Sequence, residues 1–175
     1  TGLYKNKSKS HINIAGVSDN IYQNILQISG LNAMDQNAMY LGAPMCKSRI
    51  SNAQCLPLYE KITNRLKNYN GAKLSQAGRL VIIQSIATAM CVYYFKLFII
   101  PNKIINMLNR AFNHFIWHGN IYSTKLIPIA YKKITLPAKM GGLGIINLKL
   151  WNIATTSHHV NRLLSNNMGL WEVWN

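Results

Sequence analysis

The sequence predicts a mainly α protein, with short strand and turn elements at its N-terminus followed by a helical bundle. Three observations carry this. From Ser51 onward, successive segments place apolar residues three and four apart, the period of a one-sided helix. Ser51 and Ser75 start two of those segments, and Asn70-Gly71, Pro101 and His118-Gly119 punctuate them. Period-two alternation is confined to the first turn-rich stretch. With 175 residues, 49% of them hydrophobic, the chain is long and apolar enough to bury a real core.

Residues 1–17 read as a turn and a strand, with His11 to Ala15 alternating before Gly16. Ser18 or Asp19 caps a short helix whose apolar positions are Ile21, Ile25, Leu26 and Ile28, and Gly30 is its stop. Residues 32–38 read as a polar turn, and Met39 to Met45 as an extended segment broken by Gly42 and Pro44. Ser51 caps a helix with Cys55, Leu58, Tyr59, Ile62, Leu66 and Tyr69 on one stripe, ended by Asn70-Gly71. Ser75 starts the next, running to about Leu97. Pro101 then opens a helix carrying Ile104, Ile105, Leu108, Phe112, Phe115, Ile116 and Trp117, which stops at His118-Gly119. Residues 120–144 are mixed, a last helix runs from about Asn147 to Leu164, and Trp171 and Trp174 lie in a short tail.

Charge narrows the function. Nineteen Lys and Arg face four carboxylates, a formal +15, and that excess calls for a polyanionic partner. Abundant Asn, Ile and Lys also follows from AT-rich coding, but drift of that kind does not readily explain so few acids. The carboxylates Asp19, Asp35, Glu60 and Glu172 are scattered, with no DD, DxD or DxxE. Metal-assisted phosphoryl chemistry needs several converging acids, so a binder is expected and not a self-sufficient enzyme. Cys46, Cys55 and Cys91 form no CxxC, which points to reduced buried thiols in a cytosolic, nuclear or organellar protein, with a nuclear or organellar (mitochondrial) compartment favoured over secretion. The chain opens on Thr, as expected of a segment of a longer reading frame or of a processed chain. Leu80 to Ile100 is long enough to span a bilayer, yet Gln84, Ser85 and Thr88 sit in its middle. A buried bundle helix is the better reading, and no membrane partner is expected.

Other motifs reduce to structure. His114 and His118 share a helix face at zinc-ligand spacing but lack further ligands, and read as helix-end histidines. His158 and His159 are adjacent and point to different faces. The Gly141-Gly142-Leu143-Gly144 cluster lacks the lysine and hydroxyl of a phosphate loop and reads as a tight turn. No cofactor, catalytic set or metal site is expected. The basic residues say more. They gather as Lys5, Lys7, Lys9; as Lys61, Arg65, Lys67, Lys73, Arg79; and as Lys125, Lys132, Lys133, Lys139. Lys61 and Arg65, four apart, suit a phosphate track.

A series of signatures then appears in order. Gly2-Leu3-x-x-Asn6-x-x-Lys9-Ser10 is followed by Tyr40-Leu41-Gly42-x-Pro44, Ser75-x-Ala77-Gly78-Arg79-Leu80 and Phe115-Ile116-Trp117-x-Gly119. Gly141-Gly142-Leu143-Gly144-Ile145, Trp151-Asn152-x-Ala154 and Leu170-Trp171 close it. The succession resembles the C-terminal part of the reverse transcriptase of plant non-LTR (LINE-type) retrotransposons, over essentially the whole chain. The resemblance implies a palm-end and primer-grip remnant over 1–46 and a thumb-like helical domain over 47–175, without the catalytic aspartates. It implies that Lys9 lies near the incoming nucleotide and that Tyr40 and Gly42 position the primer end. Arg79 becomes a candidate phosphate contact extended by Lys61, Arg65 and Lys73, with Gly78 permitting tight packing or duplex approach. The wider basic set, Lys5, Lys7, Lys132 and Lys133 included, would meet RNA or an RNA–DNA duplex through its backbone.

The chain departs from that family at Lys5 and over Thr155 to Asn161, where a more apolar helix is usual, which puts the packing of the last helix in doubt. Two alternatives stand beside a polymerase fragment. One is a domesticated structural RNA-binding subunit of a large ribonucleoprotein such as an organellar ribosome. The other is a peptide anchored in a membrane by Leu80 to Ile100.

Overall fold

The computed structural model describes residues 6, 10–14, 16–33, 39–46 and 49–164, and its chain divides into two compact units, Thr1–Lys47 and Ser48–Asn175. It is mainly α, as the apolar periodicity predicts. Lys5, Lys7, Lys9 and the Trp171 and Trp174 tail lie outside the described residues.

In the first unit, strand β1 (His11–Ile12) leads into helix α1 (Asp19–Ser29) and strand β2 (Asn32–Ala33). β1 and β2 pair in parallel, His11 opposite Asn32 and Ile12 opposite Ala33. Parallel neighbours need a crossover, and α1 supplies it. Residues 32–33 are therefore strand and not the expected turn, and β1 is shorter than the alternation from His11 to Ala15 suggests. Polar Asn32 carries no strand signal of its own; only the partner strand recruits it. α1 stops where expected, Gly30 adopting the left-handed conformation at φ 60° and donating its N–H to the Leu26 carbonyl at 3.1 Å. A hairpin of β3 (Met39–Tyr40) and β4 (Ala43–Pro44) follows, antiparallel, with Tyr40 opposite Ala43. Its two-residue loop holds Leu41 at φ 50° and Gly42 at φ 82°. Positive φ at both positions is what a type I′ turn requires, and Gly42 accepts it without strain.

The second unit is helical. Helix α2 (Asn52–Lys67) starts with a full capping box: the Ser51 side chain accepts from the Gln54 N–H, and the Gln54 side chain accepts from the Ser51 N–H. Its Cys55, Leu58, Ile62 and Leu66 are buried, as the stripe predicts, while Tyr59 and Tyr69 are half-buried at the edges. The single helix expected from Ser75 to about Leu97 is in fact three pieces: α3 (Gln76–Ile82), a π turn over Ile83–Ala87, and α4 (Thr88–Phe95). Within the π turn the Thr88 hydroxyl donates to the Ile83 carbonyl at 2.9 Å. Nor is this segment buried all round. Ile83, Ala87, Cys91 and Phe95 are in the core, whereas Val81, Tyr93 and Leu97 are exposed. Gln76–Phe95 is long and apolar enough to cross a membrane by length and composition, and about a third of its most apolar window is buried in this fold.

Helix α5 (Asn102–His118) lies at the centre, with Ile104, Ile105, Leu108, Phe112, Phe115 and Ile116 all buried. Pro101 occupies the position just before its first turn. Helix α2 packs on α5, and the last helix, α7 (Leu148–Leu164), packs on α4 and α5. A short helix α6 (Tyr131–Ile134) and a 3-10 turn at Ala138–Met140 fill the span between. The polar residues Thr155 and Thr156 do not prevent α7 from docking. Thr155 donates to the Phe95 carbonyl at 3.2 Å, and neighbouring Asn152 is buried with both ends of its amide engaged. Asn152 Oδ1 accepts from the Ile100 N–H at 2.8 Å, and Nδ2 donates to the Phe98 carbonyl at 2.8 Å.

Candidate functional site

Two cationic flanks run along α2, one on each side of its buried stripe. On the first, Lys61 and Arg65 are exposed one helical turn apart. With Asn64 and Asn68 they form one wall of a groove of about 680 Å³. Its other wall is Ser85, Ile86, Ala89 and Met90. The small side chains of Ser85 and Ala89 keep that wall low, so a ligand backbone can approach the two cations. Glu60 is the one carboxylate among the described residues of this unit, so little local acid offsets the positive field.

The second flank lies between α2 and α5. Tyr59, Lys103, Asn106, Met107 and Arg110 line a cavity of about 380 Å³ closed by Ala111 and Ile121. Lys103 and Arg110 are seven apart on α5, two turns along one face. Above the end of α2, Lys67 Nζ stands 4.8 Å from the centre of the Tyr122 ring, a cation–π contact. Burial raises the Tyr59 phenol pKa and Tyr122 adds to that, while Lys67 and Arg110 act against it, which places both cations in its electrostatic neighbourhood.

The residues singled out from the sequence distribute unevenly. Lys61 and Arg65 are brought together as described. Lys73, in a 3-10 turn over Gly71–Lys73, and Lys132 and Lys133, on α6, are exposed. The backbone of Tyr40 is in β3 and Gly42 is in the hairpin loop; the Tyr40 side chain lies outside the described set.

Arg79 is a correction. Its guanidinium turns inward, Nε donating to the Gly71 carbonyl at 2.7 Å and Nη1 to the carbonyls of Ile116 and Trp117 at 3.2 and 3.1 Å. It caps the C-terminal end of α5, where unpaired carbonyls and the helix dipole both favour a cation. Gly78 plays no packing role. A Cβ there would meet nothing nearer than the Ser75 hydroxyl at 3.5 Å, so packing does not require glycine. Packing does require glycine at Gly71 and Gly119, whose backbones cross so closely that a Cβ on either would run into the other's carbonyl oxygen, and at Gly142, where a Cβ would run into the Leu136 backbone.

Tyr59, Lys67, Lys103, Arg110 and Tyr122 as a group escape the sequence reading, which gives Tyr59 to the core and leaves Lys103 and Arg110 ungrouped. The i, i+7 spacing of Lys103 and Arg110 is the signal that could have found them.

Among the described residues no catalytic constellation emerges. Burial pushes the Cys91 thiol up to about 12, so it keeps its proton at neutral pH. The rings of His114 and His118 lie 6.0 Å apart, and no group of three His, Cys, Asp or Glu side chains able to hold a metal occurs among the described residues.

Fold and site define a class: a mainly helical module whose outer faces carry cations and tyrosines around an apolar core. No protein-family model matches the chain. The chain is 28% identical over 128 residues to an Arabidopsis thaliana protein named "Putative ribonuclease H protein", a match covering 73% of this chain and 21% of that protein. It thus spans about a fifth of the length of that relative.

Proposed function

We propose that this chain is the nucleic-acid-binding, thumb-type part of a LINE-type reverse transcriptase, gripping RNA or an RNA–DNA duplex by its backbone and catalysing nothing on its own. The observation that carries the reading is the groove between Lys61–Arg65 and Ser85–Ala89. Two cations one turn apart, facing small side chains, suit a sugar–phosphate strand. The ordered signatures from Tyr40 to Leu170 support it, as does a relative named for a ribonuclease. Binding through phosphates predicts weak sequence preference and affinity in the roughly micromolar range.

The test is fluorescence anisotropy with a labelled RNA–DNA hybrid across salt concentrations. The double variant Lys61→Gln/Arg65→Gln should weaken binding and flatten the log K against log salt slope by about 2. An affinity of the native chain that does not change between low and high salt defeats the proposal.

One observation favours the second reading, a structural subunit of a large ribonucleoprotein. Val81, Leu97, Ile99 and Leu126 are 59%, 51%, 60% and 93% exposed, and large apolar side chains left open in this way suit a chain embedded among neighbours. Stable co-purification of the native protein with one RNA particle would favour it over the polymerase fragment.

A further inference from the structure

The cavity between α2 and α5 does not stand alone. A second cavity, of about 410 Å³, is lined by Lys67, Asn68, Tyr69, Asn70 and Asn120, among others, and Ile121 is a wall of both. The two therefore adjoin at Ile121, and Tyr122, the next residue, is exposed beside them under the Lys67 ammonium. Asn120 fixes this corner by accepting the Tyr122 N–H on its side-chain oxygen at 2.9 Å.

The chemistry of this trough differs from that of the Lys61–Arg65 groove. A duplex hides its base faces and offers phosphates, so tyrosines add nothing to gripping it. An unpaired strand offers both phosphates and base faces, and sites for it interleave cations with aromatic rings. In the first cavity Lys103 and Arg110 supply two cations and Tyr59 a ring. The second is lined by the Tyr69 ring, which has the Arg65 guanidinium 5.9 Å from its centre, and the Tyr122 ring lies outside the lining, beside Lys67; the amides of Asn68, Asn70 and Asn120 can both donate to and accept from base edges. Each cavity falls in the size range of small-ligand sites.

We infer that this trough is a single-strand site that seats two successive unpaired nucleotides, one on either side of Ile121. It rests on the reading of the chain as a nucleic-acid binder, and separates the work of the two flanks: the Lys61–Arg65 groove holds paired backbone, the α2–α5 trough an unpaired strand.

The test measures anisotropy of the full chain with a short labelled oligouridylate and, separately, with a blunt RNA–DNA hybrid. Lys103→Gln/Arg110→Gln should weaken oligouridylate binding about tenfold or more while changing hybrid binding less than twofold. Tyr122→Leu, at an exposed position where misfolding is not expected, should weaken oligouridylate binding without altering its salt slope, because it removes stacking and no charge. Lys61→Gln, which leaves the Arg65–Tyr69 contact in place, should show the reverse selectivity. If the Lys103 and Arg110 changes weaken both ligands equally, or neither, the inference is wrong although the chain still binds nucleic acid. If the native chain binds neither ligand, the functional reading fails with it.

Discussion

Gly71 and Gly78 look alike in sequence and are opposite in structure. Gly71 sits where the chain crosses the end of α5, and the Gly119 carbonyl occupies the space a Cβ would need. Gly71→Ala should therefore cost about 1–3 kcal/mol through overpacking, read as a lowered midpoint in chemical denaturation. Gly78 lies in the first turn of α3 with open surroundings, so Gly78→Ala should stabilise by up to about 1 kcal/mol. Should Gly78→Ala also weaken hybrid binding, a close approach of nucleic acid at that turn is the reason. His114 supplies a residue-scale test in pH. Desolvation first, then His118 and Arg110, holds its imidazole below the ordinary 6.5. The unfolded chain then takes up the proton more readily than the folded one. Stability should fall as pH drops through about 6.5 and level off once the folded imidazole is also charged. The variant His114→Gln should flatten that decline in denaturation curves recorded from pH 7.5 to 5; an unchanged decline assigns it to other groups.

At the scale of elements, the helices from Ser51 onward were legible because their signals are local. A capping box, a 3.6-residue stripe and a left-handed glycine each act within a turn or two, as at Ser51–Gln54 and at Gly119, with φ 68°. The strand β2 and the π turn were not legible. Asn32–Ala33 becomes strand only because β1 lies beside it, and Ile83–Ala87 widens within an unbroken apolar run that a straight helix would fit equally well. The docking of α7 is likewise tertiary. Asn152 reads in sequence as one polar residue among several, yet its amide ties α7 to the backbone between α4 and α5. Asn152→Ala should cost about 1–3 kcal/mol by leaving the Ile100 N–H unpaired in the core. Asn152→Asp should cost at least as much, because it buries a carboxylate whose second oxygen faces the Phe98 carbonyl where the amide N–H had donated. A stability equal to that of the native chain in both variants would show that α7 docks without this tie.

For the molecule as a whole, the thiols report on cooperativity. Cys55 and Cys91 are wholly buried, whereas Cys46 is partly open in the first unit. Iodoacetamide followed by mass spectrometry should label Cys46 under native conditions and leave Cys55 and Cys91 untouched until denaturant opens the helical unit. Early labelling of Cys91 together with Cys55 would mean that the core opens as one at low cost.

Charge, composition and helix-period spacing are properties of the chain itself, and they determined the mainly α class, most helix limits and the expectation of a polyanionic partner. Which cations face the same way is a property of packing. Arg79 left the surface because the end of α5 presented bare carbonyls within its reach, and Lys103, Arg110 and Tyr59 met because α2 lies against α5. No local rule encodes such meetings, since they join residues tens of positions apart whose proximity exists only once the core has formed.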